Sequence, residues 1–235
     1  MSDNFPIYQL HNVIKEVKGP KETITILHNL KVEIKKRESV AILGASGSGK
    51  TTLLYLLGGL DSPTSGTILF KDEDISNYSW GEKASFRNKN IGFIFQFHHL
   101  LLEFNTIENV AMPALIAGES KKSAFDRAYE LLQLVGLQEQ SFHSVSTLSG
   151  GERQLTAISR ALMNQPQVVL ADEPTGDLDR GSGQKVGEIL LEVNDQLGTT
   201  LIVATHNIEL AKTMQRNLHL YNGDLYESEA IDTTI

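Results

Sequence analysis

From residue 7 to about residue 34 apolar and polar positions alternate, with Ile24, Ile26, Val32 and Ile34 on the two-residue period of half-buried strands. The run breaks at Lys18-Gly19-Pro20. Residues 39–43 form a short apolar strand, followed by a Gly-rich turn and a helical stretch over residues 51–57. From about residue 105 to 165 the chain reads as mainly helical: Ala124, Ala128, Leu131, Leu132 and Val135 recur at helical spacing, and Gly136 can end that helix. Residues 168–171 and 201–204 are continuous apolar runs, the mark of fully buried strands, and each leads through polar residues into another helical segment. Strands alternating with helices predict an α/β fold, a mostly parallel sheet with helices on both faces. No internal repeat or low-complexity linker interrupts it, and the end, from about Ser228, reads as frayed.

Composition narrows the function classes. The 235 residues are 40% hydrophobic and 21% charged, enough for one large domain with a substantial core. No cysteine is present, which excludes disulfides, cysteine zinc sites and a thiol nucleophile and fits a reducing compartment. A net charge of -8 argues against a nucleic-acid partner, which needs a basic face. The start has no basic region followed by an apolar stretch, so no signal peptide is expected. No apolar run approaches the roughly 20 residues needed to span a bilayer, so any membrane task would be carried out from the cytoplasmic side through a partner.

Three segments carry chemistry. Gly44-Ala45-Ser46-Gly47-Ser48-Gly49-Lys50-Thr51 matches G-x-x-x-x-G-K-[ST]. Its glycines let backbone N–H groups turn inward around phosphates, and the following helix points its positive end at them. Lys50 can reach the β- and γ-phosphates and the Thr51 hydroxyl can ligate Mg²⁺. A flexible Gly/Ser turn is the competing reading, and the position between a buried strand and a helix disfavours it. The strand over residues 168–171 ends in Asp172-Glu173, at the carboxyl end that opens onto the ligand crevice of a parallel sheet. Successive strand side chains point to opposite faces, so the two take different tasks: Asp172 the Mg²⁺-associated acid, Glu173 the base for an attacking water. Leu148-Ser149-Gly150-Gly151-Glu152 opens a helix running through Ala157, Ile158 and Leu162. Alone it is a helix cap with permissive glycines, although its exposed donors also favour an anion.

The glycine loop, Gln96 after Gly92-Phe93-Ile94-Phe95, the Leu148–Glu152 segment, residues 170–179 (LADEPTGDLD) and His206 stand in the order seen in ABC-transporter ATPases. The chain resembles that family from about Tyr8 to Gly223. Residues 58–66, 92–102 and 108–113 look like the lipoprotein-releasing (LolD-type) branch, with macrolide-exporter and FtsE-type ATPases as close alternatives; the FtsE type acts on a membrane partner without transport.

The resemblance implies a P-loop ABC-type core with an N-terminal antiparallel β subdomain and a helical subdomain inserted at about residues 100–165, in one domain over 1–235. It implies ATP and Mg²⁺, and a homodimer packed head to tail with ATP at the seam. One subunit would supply Gly44, Ala45, Ser46, Gly47, Ser48, Gly49, Lys50, Thr51, Thr52, Gln96, Asp172, Glu173 and His206. The other would supply Ser149, Gly150 and Gly151. Thr51, Asp172 and Gln96 would face the metal, His206 would bridge the γ-phosphate and Glu173, and Asp177 and Asp179 match a loop that communicates across the dimer, or are simply turn acids. It also implies a place on the cytoplasmic face of the inner membrane.

Residues 97–102 (Phe-His-His-Leu-Leu-Leu) are too apolar for an ordinary surface loop. They are expected to be a partly exposed patch receiving a helix of a permease subunit, against the alternative of a buried helix start. The adjacent His98 and His99 are poorly spaced for a metal on a helix. Two positions depart from the family pattern: Val17 stands where an aromatic residue usually stacks on adenine, and Leu155 where a basic residue is usual.

Overall fold

The structure, a computed structural model, describes residues 6–19 and 22–227. Pro20 and the end from Ser228, two positions singled out above, lie outside the described residues. The alternating start folds as two long antiparallel strands, β1 (Pro6–Lys18) and β2 (Thr23–Lys35), paired from Tyr8 opposite Ile34 to Lys18 opposite Thr23. The expected stripe is reset in mid-strand. Asn12 and Asn29 take positive φ, 51° and 48°, and the pairing shifts register between Leu10 and Glu16. β2 therefore buries Leu27, Leu30 and Ile34, while Ile24 is exposed and Ile26 and Val32 are half-buried.

β3 (Ser39–Leu43) leads through the glycine loop into α1 (Lys50–Leu57). β4 (Ser65–Phe70) and β5 (Glu73–Asp74) complete an antiparallel sheet of order β2-β1-β4-β5. α2 (Trp80–Asn90), opened by a Ser79–Glu82 capping box, precedes β6 (Ile91–Ile94). The middle is mainly helical, as its periodicity predicts: α3 (Thr106–Ile116), α4 (Lys121–Leu134) and α5 (Gly150–Leu162). Ser120 caps the start of α4; at its end Gly136 adopts φ 77° and the Leu137 N–H returns to the Leu132 carbonyl at 2.7 Å. The chain continues through β7 (Val168–Asp172), α6 (Arg180–Leu197), β8 (Thr200–Thr205), α7 (Ile208–Lys212), β9 (Arg216–Tyr221) and β10 (Asp224–Glu227). These make a second sheet of order β10-β9-β3-β8-β7-β6, parallel except for β10.

The parallel strands read as unbroken apolar runs because both of their faces are covered. Val40, Ile42, Val168, Leu170, Ile202 and Ala204 turn to one side and pack with α1 and the antiparallel sheet. Ala41, Leu43, Val169, Ala171, Leu201 and Val203 turn to the other, where α3, α4, α5 and α6 cover them. The carboxyl ends of β3, β6, β7 and β8 lie side by side, so the segments that follow them converge at one edge of the sheet.

Candidate active site

Those segments line a cavity of about 580 Å³ bounded by Ile26, Ser46, Gly47, Gly49, Lys50, Thr51, Thr52, Gln96, Asp172, Glu173 and His206. The loop after β3 keeps a tight, inward-turned shape: Gly47 and Gly49 have φ of 79° and 104°. At φ 104° any residue with a Cβ would be strained at Gly49, and that Cβ would also come within 2.9 Å of the Leu27 side chain. Lys50 is buried, and its ammonium donates to the carbonyls of Gly44 at 2.7 Å and Ala45 at 3.1 Å, with Glu173 Oε1 at 3.5 Å. The Ser48 hydroxyl is buried without a hydrogen-bond partner, against Gly44 and outside the cavity lining.

Asp172 closes β7 and is buried; burial raises its carboxyl above the usual range, opposed by a hydrogen bond from the Thr51 hydroxyl. Its Oδ1 is buried with no hydrogen-bond partner, an acceptor left without a donor in a residue that lines the cavity. Strand alternation does not explain its difference from Glu173. Glu173 lies beyond the strand with φ 45°, in the left-handed region, and its N–H bonds the Ala204 carbonyl at 2.8 Å. The kink, not the pleat, sends both carboxylates into the same cavity. Glu173 Oε2 accepts from Thr205 Oγ1 at 3.1 Å and the His206 N–H at 3.2 Å, and His206 Nδ1 lies 3.0 Å from it.

Ser149, Gly150 and Gly151 are not in this lining. They stand at the exposed start of α5, where Ser149 and Glu152 form a capping box: Ser149 Oγ accepts from the Glu152 N–H and donates to Glu152 Oε2 at 2.8 Å. The Ser149 N–H and hydroxyl bonds hold the Glu152 carboxyl below its usual value. A lowered folded-state value means stability that is present above the ordinary glutamate range and lost as acid protonates the group. Ser149→Ala is therefore expected to lower unfolding stability by about 1 kcal/mol at neutral pH, a deficit that narrows below the glutamate range. Denaturant melts at pH 7 and in acid measure both.

Asp179, read above as a communicating residue or a turn acid, caps α6 by accepting from the N–H groups of Gly181 and Ser182, and Asp177 is exposed beside it. Residues 97–102 are a loop, not a buried helix start: His98 and His99 have φ of 61° and 49°, and Phe97 and Leu102 are exposed. Arg160 of α5 holds this loop through the His98 and His99 carbonyls, both at 2.6 Å, and burial pushes its guanidinium down to about 10. No cluster of His, Cys, Asp and Glu among the described residues is arranged to hold a metal by itself.

Of the two departures, Leu155 is buried in the core on the α5 side of the parallel sheet, so no basic head could occupy its place as packed. Val17 pairs with Ile24 and both are exposed; the apolar residue in the cavity wall is Ile26. Sequence reasoning missed Ile26 because it was assigned to a core stripe, and Thr205 because it looks like an ordinary strand residue.

A family model described as ABC transporter matches residues 27–176. A protein of Nitratidesulfovibrio vulgaris named lipoprotein-releasing system ATP-binding protein LolD is 56% identical over 222 residues, 94% of this chain and 95% of its own. A protein of the same name from Wigglesworthia glossinidia brevipalpis is 49% identical over 225 residues, 96% and 98% of the two chains. Among solved structures, the dimeric post-hydrolysis state of the ATP-binding cassette MJ0796 bound to ADP and Pi superimposes with a TM-score of 0.87. It is 35% identical, over 94% of this chain and 98% of that one.

Proposed function

Because this chain belongs to the ABC transporter family and is an ATP-hydrolysing subunit, we propose that it powers the release of lipoproteins from the inner membrane, as one of two copies beneath permease subunits. The single observation that carries the two-copy reading is a division of donors. The cavity around Lys50 and Glu173 is open to solvent on one side, while the anion-favouring start of α5 at Ser149–Gly151 is exposed and lines none of it. A second copy turned head to tail would bring the missing donors over the γ-phosphate.

In this reading the N–H groups of residues 44–52 take the phosphates, and Lys50 exchanges its two carbonyl partners for them. The unpartnered Asp172 Oδ1, the adjacent Thr51 hydroxyl and Gln96 suit a hard cation. Mg²⁺ bound there would neutralise charge on the phosphate oxygens. Glu173 Oε1, released by Lys50, takes a proton from water as the water oxygen bonds the γ-phosphorus. The bond to the bridging oxygen breaks, and its electrons leave with ADP. His206 holds the other carboxylate oxygen and reaches the cavity edge. Ile26 offers the adenine an apolar wall without an aromatic stack.

The permease has a fitting seat. A largely apolar groove runs between α2, β6, α3 and α5, with Phe93, Phe95, Met112 and Ile116 along it and Arg87, His99 and Arg160 at its polar points. Trp80, 81% exposed, lies four and seven residues before Ala84 and Arg87, on the α2 face that lines the groove. No helix among the described residues is long and apolar enough to cross a membrane, so attachment by a partner is what this reading requires.

Reconstitution with the permease subunits in vesicles tests the function: ATP should release a lipoprotein to a soluble acceptor, and turnover without release would overturn the assignment. Trp80 is the only tryptophan, so its emission should move to shorter wavelength on binding permease, and Trp80→Ala should weaken co-purification about 10-fold. Unchanged emission from a fully bound sample would remove Trp80 from the interface.

A further inference from the structure

Thr205 closes β8 and is fully buried, with Leu43, the last residue before the glycine loop, as its partner across β3. Its hydroxyl oxygen lies 3.1 Å from Glu173 Oε2 and 3.0 Å from the Asn207 N. A backbone N–H can only donate and a carboxylate can only accept. The direction of the hydroxyl proton is thereby determined: Thr205 accepts from Asn207 and donates to Glu173. Asn207 is anchored in turn, its Oδ1 capping α7 and its Nδ2 donating to Thr175 Oγ1 at 3.3 Å.

The consequence is an asymmetry between the carboxylate oxygens. Oε2 receives two donors, the Thr205 hydroxyl and the His206 N–H, with His206 Nδ1 3.0 Å away, while Oε1 has Lys50 at 3.5 Å. Of the side chains beside Oε2, the His206 ring is 68% exposed, whereas Thr205 is packed into the sheet. Because Glu173 has left the strand at φ 45°, the ladder alone does not aim its side chain.

We propose that Thr205 is the positioning residue of the hydrolytic base: its hydroxyl anchors Glu173 Oε2 and leaves Oε1 to face the attacking water. The proposal rests on Glu173 being that base. A misplaced base lowers turnover without weakening nucleotide binding. Thr205→Val, which keeps shape and β-branching, should reduce kcat about 10-fold or more and change KM for ATP by less than about threefold. Thr205→Ser, which keeps the hydroxyl, should retain at least about half of the parent kcat. In a Glu173→Gln background, Thr205→Val should lower the residual rate no further than about twofold, because both changes act through one group. Thr205→Ala takes the place of the Val variant if that variant fails to melt cooperatively or to bind ATP.

Parent-like kcat in the hydroxyl-free variant overturns the proposal. So does a Ser variant that falls as far as Val, or a full additional loss in the double variant. Parent-like turnover in Glu173→Gln alone would instead remove the base assignment, a separate failure.

Discussion

Glu173→Gln is expected to slow steady-state ATP hydrolysis by about 100-fold or more, the scale on which a general base contributes, while ATP is still bound. The amide has the carboxylate's shape and can still accept from Thr205 and His206 through its oxygen, so the kink at residue 173 and the strands beside it are undisturbed. What is lost is the capacity to take a proton from water. ATP should then persist at the seam, and the variant should run at twice its monomer mass when saturated with Mg·ATP, by light scattering after size exclusion. A variant that turns over like the parent places the base elsewhere. One that stays monomeric with Mg·ATP, even beside its permease, removes the two-copy reading altogether.

Lys50→Ala should act at the preceding step. Charge-assisted hydrogen bonds contribute about 1.5–3 kcal/mol each, and about 2.8 kcal/mol is a hundredfold in affinity. Affinity for ATP should therefore fall about 100-fold. At an ATP concentration about 100 times the parent's dissociation constant, the parent gains about 2.7 kcal/mol against unfolding and the variant about 0.4 kcal/mol. Calorimetric melts with and without Mg·ATP measure the difference; equal shifts would show that the ammonium does not touch the phosphates. Without nucleotide the variant should also melt lower, since Glu173 loses its nearest cation.

The glycine loop was legible because its chemistry depends on main-chain shape, which glycine spacing declares, and because a buried apolar run precedes it. The parallel sheet was legible for a similar reason: strands covered on both faces cannot alternate, and residues 168–171 and 201–204 do not. What escaped were local events set by tertiary contacts. Asn12 and Asn29 flip the backbone inside β1 and β2, which moves Ile24 out of the core and gives Ile26 to the cavity. Glu173 kinks at the strand end, where strand geometry suggests opposite faces. His98 and His99 take left-handed conformations that no periodicity announces, and Arg160 fastens them from 62 and 61 residues away. Thr205 matters through the direction of one hydroxyl proton, which only the positions of its two partners reveal.

β6 is the outermost strand of the parallel sheet, and its one neighbour is β7, with Ile94 opposite Ala171. One rim of the groove proposed for the permease is built from β6 and the residue after it, and β7 ends at the two carboxylates. If the permease seats on that rim, a single hydrogen-bonded ladder separates its seat from Glu173. On the proposed reading, load and chemistry would then be two adjacent strands apart, with no intervening element between them.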